Sequence, residues 1–139
     1  MKKLLFLSIL ILSLSCSNSD DEEGSVKIDY TNVIGFWEYK EKIMPDGSVL
    51  PYEHLCVAKK DHWELRSNSF FYKNHFLTSC SADLPMSSQW FLSSQEKKLQ
   101  INNVGVFQVR RLSKNEMILD NFMSNGDLFY TWVMVRRNQ

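Results

Sequence analysis

Gly35-Phe36-Trp37-Glu38-Tyr39-Lys40-Glu41-Lys42-Ile43 alternates aromatic or apolar residues with charged ones, the period-two pattern of a strand with one wet face. Trp37, Tyr39 and Ile43 share one face, and Glu38, Lys40 and Lys42 the other. Glu41 has the parity of the buried set, so an inward carboxylate is expected there. Pro45-Asp46-Gly47 follows directly. Proline presets the φ of the second turn position and glycine accepts a left-handed one, so a hairpin is expected.

Outward from this strand, no segment carries a sustained apolar stripe at helical spacing. Aromatic and β-branched residues recur instead in short runs at 55–59, 62–66, 69–75, 88–92, 98–101, 104–112, 116–122 and 128–137. Their connections are short and rich in Ser, Asn, Gly and Asp, which makes consecutive strands antiparallel neighbours. The fold expected is therefore all-β, a meander of eight to nine strands. A sheet of that size loses its two unpaired edges by closing into an up-and-down barrel; a two-sheet sandwich is the second solution. Segments 104–112 and 128–135 are apolar on both faces, so parity does not choose their interior side. The longest irregular piece, 76–87, holds Cys80 and Pro85.

The start of the chain belongs to a different category. Met1-Lys2-Lys3, an apolar run over residues 4–12 and then Ser13-Leu14-Ser15-Cys16 have the order of a secretory signal, with an apolar core too short to span a membrane. Residues 12–16 resemble the lipobox of bacterial lipoproteins, with Ser13 where Leu is usual. The resemblance implies cleavage after residue 15, a lipid such as palmitate on Cys16, and a membrane anchor. Residues 16–32 read as an acidic tether through Asp20, Asp21, Glu22 and Glu23, similar to the acidic signal that sends some Gram-negative lipoproteins to the outer face of the outer membrane. With Cys16 acylated, two of the three cysteines remain, Cys56 and Cys80. In an oxidising envelope they are expected to form a disulfide worth about 3 kcal/mol; two buried thiols are the alternative.

The folded part is one domain, 33–139. Of 16 basic and 16 acidic residues, Lys2, Lys3 and Lys27 and the acids Asp20, Asp21, Glu22, Glu23 and Asp29 precede Gly35, leaving 13 and 11. So small an excess argues against a nucleic-acid partner. His54, His62 and His75 lack paired metal-ligand spacing, Cys56 and Cys80 lack C-x-x-C spacing, and no G-x-S-x-G elbow or phosphate-binding glycine loop occurs. Adjacent on a strand, Asp61 and His62 point to opposite faces. These patterns predict no enzyme, no cofactor and no metal. Aromatic residues carry what signal remains, since Trp37, Trp63, Trp90 and Trp132 fall on different strands. With Tyr39, Glu41 and Phe107, two of them (Trp90 and Trp132) are candidates to line a pocket; filling a solid core is the other use of such rings.

Gly35-Phe36-Trp37 opening such a meander resembles the lipocalin G-x-W signature. The stretch 33–138 further resembles the lipocalin-like domains of bacterial lipoproteins: a Cys ahead of a strand-turn-strand, Cys80 before the lone Trp90 strand, and the R-x-L-S-K-N-E-M-I-L run over 110–119. The resemblance implies that Trp37 packs at the closed end of the barrel beneath an Arg of the last strand, Arg136 or Arg137, and that the barrel binds a small hydrophobic ligand. A solid-core module contacting another envelope protein is the alternative.

Overall fold

The computed structural model describes residues 26–137. Cys16, residues 1–15 expected to be a leader, and the acidic run 20–23 lie outside the described residues. A short helix, α1 (Tyr30–Val33), leads into nine strands: β1 (Gly35–Ile43), β2 (Val49–Pro51), β3 (His62–Leu65), β4 (Phe70–Asn74), β5 (Met86–Ser93), β6 (Lys98–Ile101), β7 (Gly105–Leu112), β8 (Glu116–Phe122) and β9 (Leu128–Arg136). From β3 onward each strand pairs antiparallel with the next, and β9 returns to pair with β1. The result is an all-β, closed barrel of eight strands plus one extra strand, β2, and not a sandwich. β2 and β3 share one edge of β1: Gly35 to Glu38 pair with β3, and Glu41 to Ile43 with β2.

Between these two strands the expected strand over 55–59 does not form. β2 is three residues long and ends at Pro51, which has no N–H to donate to a ladder. The chain then leaves the sheet, and residues 52–61 cross the end of the barrel as a strap. Part of the stretch read as tether is packed on the barrel. The Val26 N–H bonds Leu112 O at 2.8 Å, and Val26 and Ile28 pack against the core.

Two bulges set which side chains face in. In β1 the pairing with β9 slips between Tyr39 and Glu41, so parity reverses after Tyr39. Tyr39 opposes Met134 on the inner face, but Lys42, not Glu41, opposes Trp132 there. The inward carboxylate expected at Glu41 is thus corrected: Glu41 opposes Val133 on the outer face, with Lys40 Nζ 3.6 Å away. In β7 a slip between Val109 and Arg111 lets Phe107, Val109 and Leu112 all be buried. That slip is why parity alone failed over 104–112.

At the closed end, Trp37 is fully buried, its indole N–H donating to Val33 O at 2.8 Å. The Arg136 guanidinium lies 4.2 Å over the Trp37 ring and donates to Ile34 O (2.7 Å), Asn32 O (2.6 Å) and Lys114 O (2.8 Å). Gly35 makes room for this. Its φ is +143°, and a Cβ there would stand 2.6 Å from Arg136 Nη1. Gly35→Ala is therefore expected to destabilise by about 1–3 kcal/mol through strain and collision. In an Arg136→Ala background only the strain should remain. A double-mutant cycle in urea that shows simple additivity would refute this account of Gly35.

Candidate functional site: the strapped end of the barrel

The interior is filled by rings. Trp63 on β3 and Phe107 on β7 belong to opposite strands of the eight-strand ring, yet their ring centroids are 5.3 Å apart. Phe71 abuts Trp63 at 5.4 Å, and Tyr39 lies 5.9 Å from Trp63, whose indole N–H donates to the Tyr39 hydroxyl. Trp37, Trp63, Trp90 and Phe71 are each no more than 2% exposed. Contact across the full diameter leaves no chamber at that level.

The candidate ligand residues consequently do not converge. Trp90 lies toward the closed end, stacked 4.6 Å from Tyr30 of α1, with its indole N–H on Arg66 O. Phe107 is core, and Glu41 is outside. Only Tyr39 and Trp132 meet, edge to face at 4.9 Å beneath the strap. Tyr52 stacks on Tyr39 at 4.6 Å and meets Trp132 at 5.9 Å, and Lys42 Nζ sits 4.4 Å over Tyr130. The strap thereby places its own ring where the barrel mouth would otherwise open.

What holds the strap is a carboxylate. Asp61 is fully buried, and an unpaired charge in that position would be costly. Its Oδ2 accepts from the Tyr52 hydroxyl at 2.9 Å and its Oδ1 from the Phe76 N–H at 2.8 Å. A hydroxyl has one hydrogen, so the Tyr52 oxygen accepts from His75 Nε2–H at 3.2 Å. The Asp61 N–H in turn donates to His54 Nδ1 at 2.9 Å, which fixes the Nε2–H tautomer there too: His54 Nε2–H donates to Tyr39 O at 3.0 Å. Burial pushes the Tyr39 and Tyr52 phenols well above their ordinary range, so both stay protonated. His62, beside Asp61 in sequence, turns away and lies near Phe36 and Phe76.

The Cys56–Cys80 disulfide joins the strap to the β4–β5 loop, 24 residues apart. Asp61 and the disulfide therefore tie down the same two segments. Reading the sequence strand by strand misses this hub, because Tyr52 and Asp61 stand at the two ends of the strap and His75 just after β4, outside every strand and with no shared motif. Parity offered one usable signal. Lys73 lies two residues from the buried Phe71 on β4, hence on the inner face, opposite Trp63 and Met86.

Around this strapped end stands a rim of exposed apolar side chains. Val57 on the strap is 93% exposed and Leu84 on the β4–β5 loop 92%. Leu55, Leu77, Met123 and Phe129 are also exposed on the strap, that loop and the β8–β9 hairpin. Hollows of about 460 Å³ (residues 100–106), 320 Å³ (Gly35 and Leu65 among its walls) and 270 Å³ (Lys73, His75, Asp83, Leu84 and Met86) open on the surface. None of the three is lined by Trp37, Tyr39, Trp63, Phe71, Trp90 or Phe107. Among the described residues no group of three or more His, Cys, Asp or Glu is placed to hold a metal, and no helix is long and apolar enough to cross a membrane. Comparison with protein-family models, with curated proteins and with solved structures finds no match.

Two measurements probe the hub. Burial, and then Lys60, hold His54 below the 6.5 of a free histidine. As pH falls through 6.5 the unfolded chain takes up this proton before the folded one. Stability contributed by neutral His54 is therefore complete above that pH and declines below it. His54→Gln should flatten the pH 5.5–7.5 stability slope; an unchanged slope would show that His54 does not titrate in this way. Reducing Cys56–Cys80 should cost about 3 kcal/mol in denaturant unfolding, and a loss well under ~1 kcal/mol would mean that Asp61 alone holds the strap.

Proposed function

We propose that this chain is a cell-envelope lipoprotein, held at the outer membrane by lipid on Cys16, whose solid barrel presents its strapped end to another envelope protein. The observation that carries this reading is the rim. Val57 and Leu84 are almost wholly exposed on segments that a disulfide and a buried carboxylate hold in place. Several large apolar side chains gathered at one end of a domain mark a surface that a partner covers. Because the segments are already ordered, docking would cost less conformational entropy than ordering a free loop.

The attachment point supports the same orientation. Val26 joins the barrel at the end of β7 and start of β8, beside α1, so a chain arriving from Cys16 meets the domain opposite the rim. The alternative, a small hydrophobic ligand within the barrel, is disfavoured by the Trp63–Phe107 contact across the diameter. On this reading the protein is a binding module without catalysis.

A photoreactive amino acid placed at Val57 or Leu84 in intact cells should give a discrete crosslinked product. One at Gln95, in the β5–β6 turn of the opposite end, should not. Rim probes that give nothing, or a pattern indistinguishable from Gln95, would sink the reading. In the same cells Cys16→Ser should release the chain from the membrane fraction, and retention there would contradict the anchor.

A further inference from the structure

The 270 Å³ hollow at the rim has a chemistry that the apolar tips lack. Lys73 reaches it from the inner face of β4, half-buried, and among the described residues no acidic group pairs with its ammonium. His75 forms the neighbouring wall, its Nε2–H committed to the Tyr52 hydroxyl and its Nδ1 3.7 Å from Asp61 Oδ2. Leu84 and Met86, both exposed, make the apolar side. Asp83 completes the lining, one carboxylate oxygen taken by the Leu84 N–H at 2.8 Å.

A half-buried lysine with no acidic group at ion-pair distance, in a hollow with an apolar side on an exposed rim, is an electrostatic demand left open by the fold. We infer that this hollow receives a carboxylate side chain of the docking protein, flanked there by an apolar residue that packs on Leu84 and Met86, with Lys73 supplying the counter-charge. The inference rests on the rim being a docking surface. Asp83 decides between anions. Its negative charge on the same wall opposes a dianionic phosphate more strongly than a single carboxylate.

The test has two arms. In cells carrying the photoreactive residue at Val57, Lys73→Met should reduce the crosslinked product about tenfold, and Lys73→Arg should largely preserve it. Product undiminished in Lys73→Met overturns this inference and leaves the docking surface standing. No rim product even with native Lys73 overturns both. The second arm does not depend on how Lys73→Met folds: hexanoate titrated into the purified lipid-bearing protein should shift the amide resonances of Lys73, His75, Leu84 and Met86 saturably, while hexanol should not. Equal shifts from the two probes would show a merely apolar hollow and overturn the assignment of Lys73.

Discussion

Closure of the sheet between β1 and β9 is the constraint on which everything else in this domain depends. A meander of this length has two edges, and they meet where Trp37 opposes Arg136. The guanidinium covers the indole and, by donating to Ile34, Asn32 and Lys114, gathers the chain entering β1 and the β7–β8 turn onto the same point. Only a glycine at position 35 lets it approach so closely. Once the ring is closed at this end, inside and outside are defined for every strand, and the rings from opposite walls meet.

The other end is secured by different physics. There the barrel is covered by a strap whose anchor is a buried charge, an arrangement that is unfavourable unless every lone pair is used well. Asp61 meets that condition with a phenol and a backbone amide, while its own amide engages His54. The network ties the strap at both of its ends, through Tyr52 and through Asp61 itself. Apolar side chains carried on such a frame cannot fold inward to escape water, so the frame's rigidity and the rim's exposure have a common cause.

Much of the architecture was legible in the residues. Alternation in 35–43, the Pro-Asp-Gly turn and the short polar connections are local signals, and they lead to a closed antiparallel barrel with strands at 98–101 and 116–122 as read. The pairing of Cys56 with Cys80 followed from their number and the expected compartment. What stayed hidden was non-local or one residue wide. A single extra residue between Tyr39 and Glu41 exchanges the faces of Glu41 and Lys42, and alternation in one strand carries no trace of it because the slip exists only relative to β9. Residues 55–59 have strand-like composition but no partner edge. The Asp61 hub joins the two ends of the strap to the chain just after β4, through side-chain types that recur throughout the sequence. The filled interior depends on ring sizes from opposite walls, which one sequence leaves undetermined.

Pairing the first long strand with the last also governs how this chain reaches its native state. The bonds from Arg136 to Asn32 and Ile34 span 104 and 102 residues, so β1 must remain without its final neighbour until nearly all of the chain is available. Contacts of such sequence separation come late and slowly, after their loop-closure entropy has been met. Until then β1 exposes Trp37 and an unpaired edge to whatever else is in the compartment. The most vulnerable period of this protein's life is therefore the interval before β9 arrives, and a chain cut short within β9 would leave an open, adhesive sheet rather than a smaller barrel.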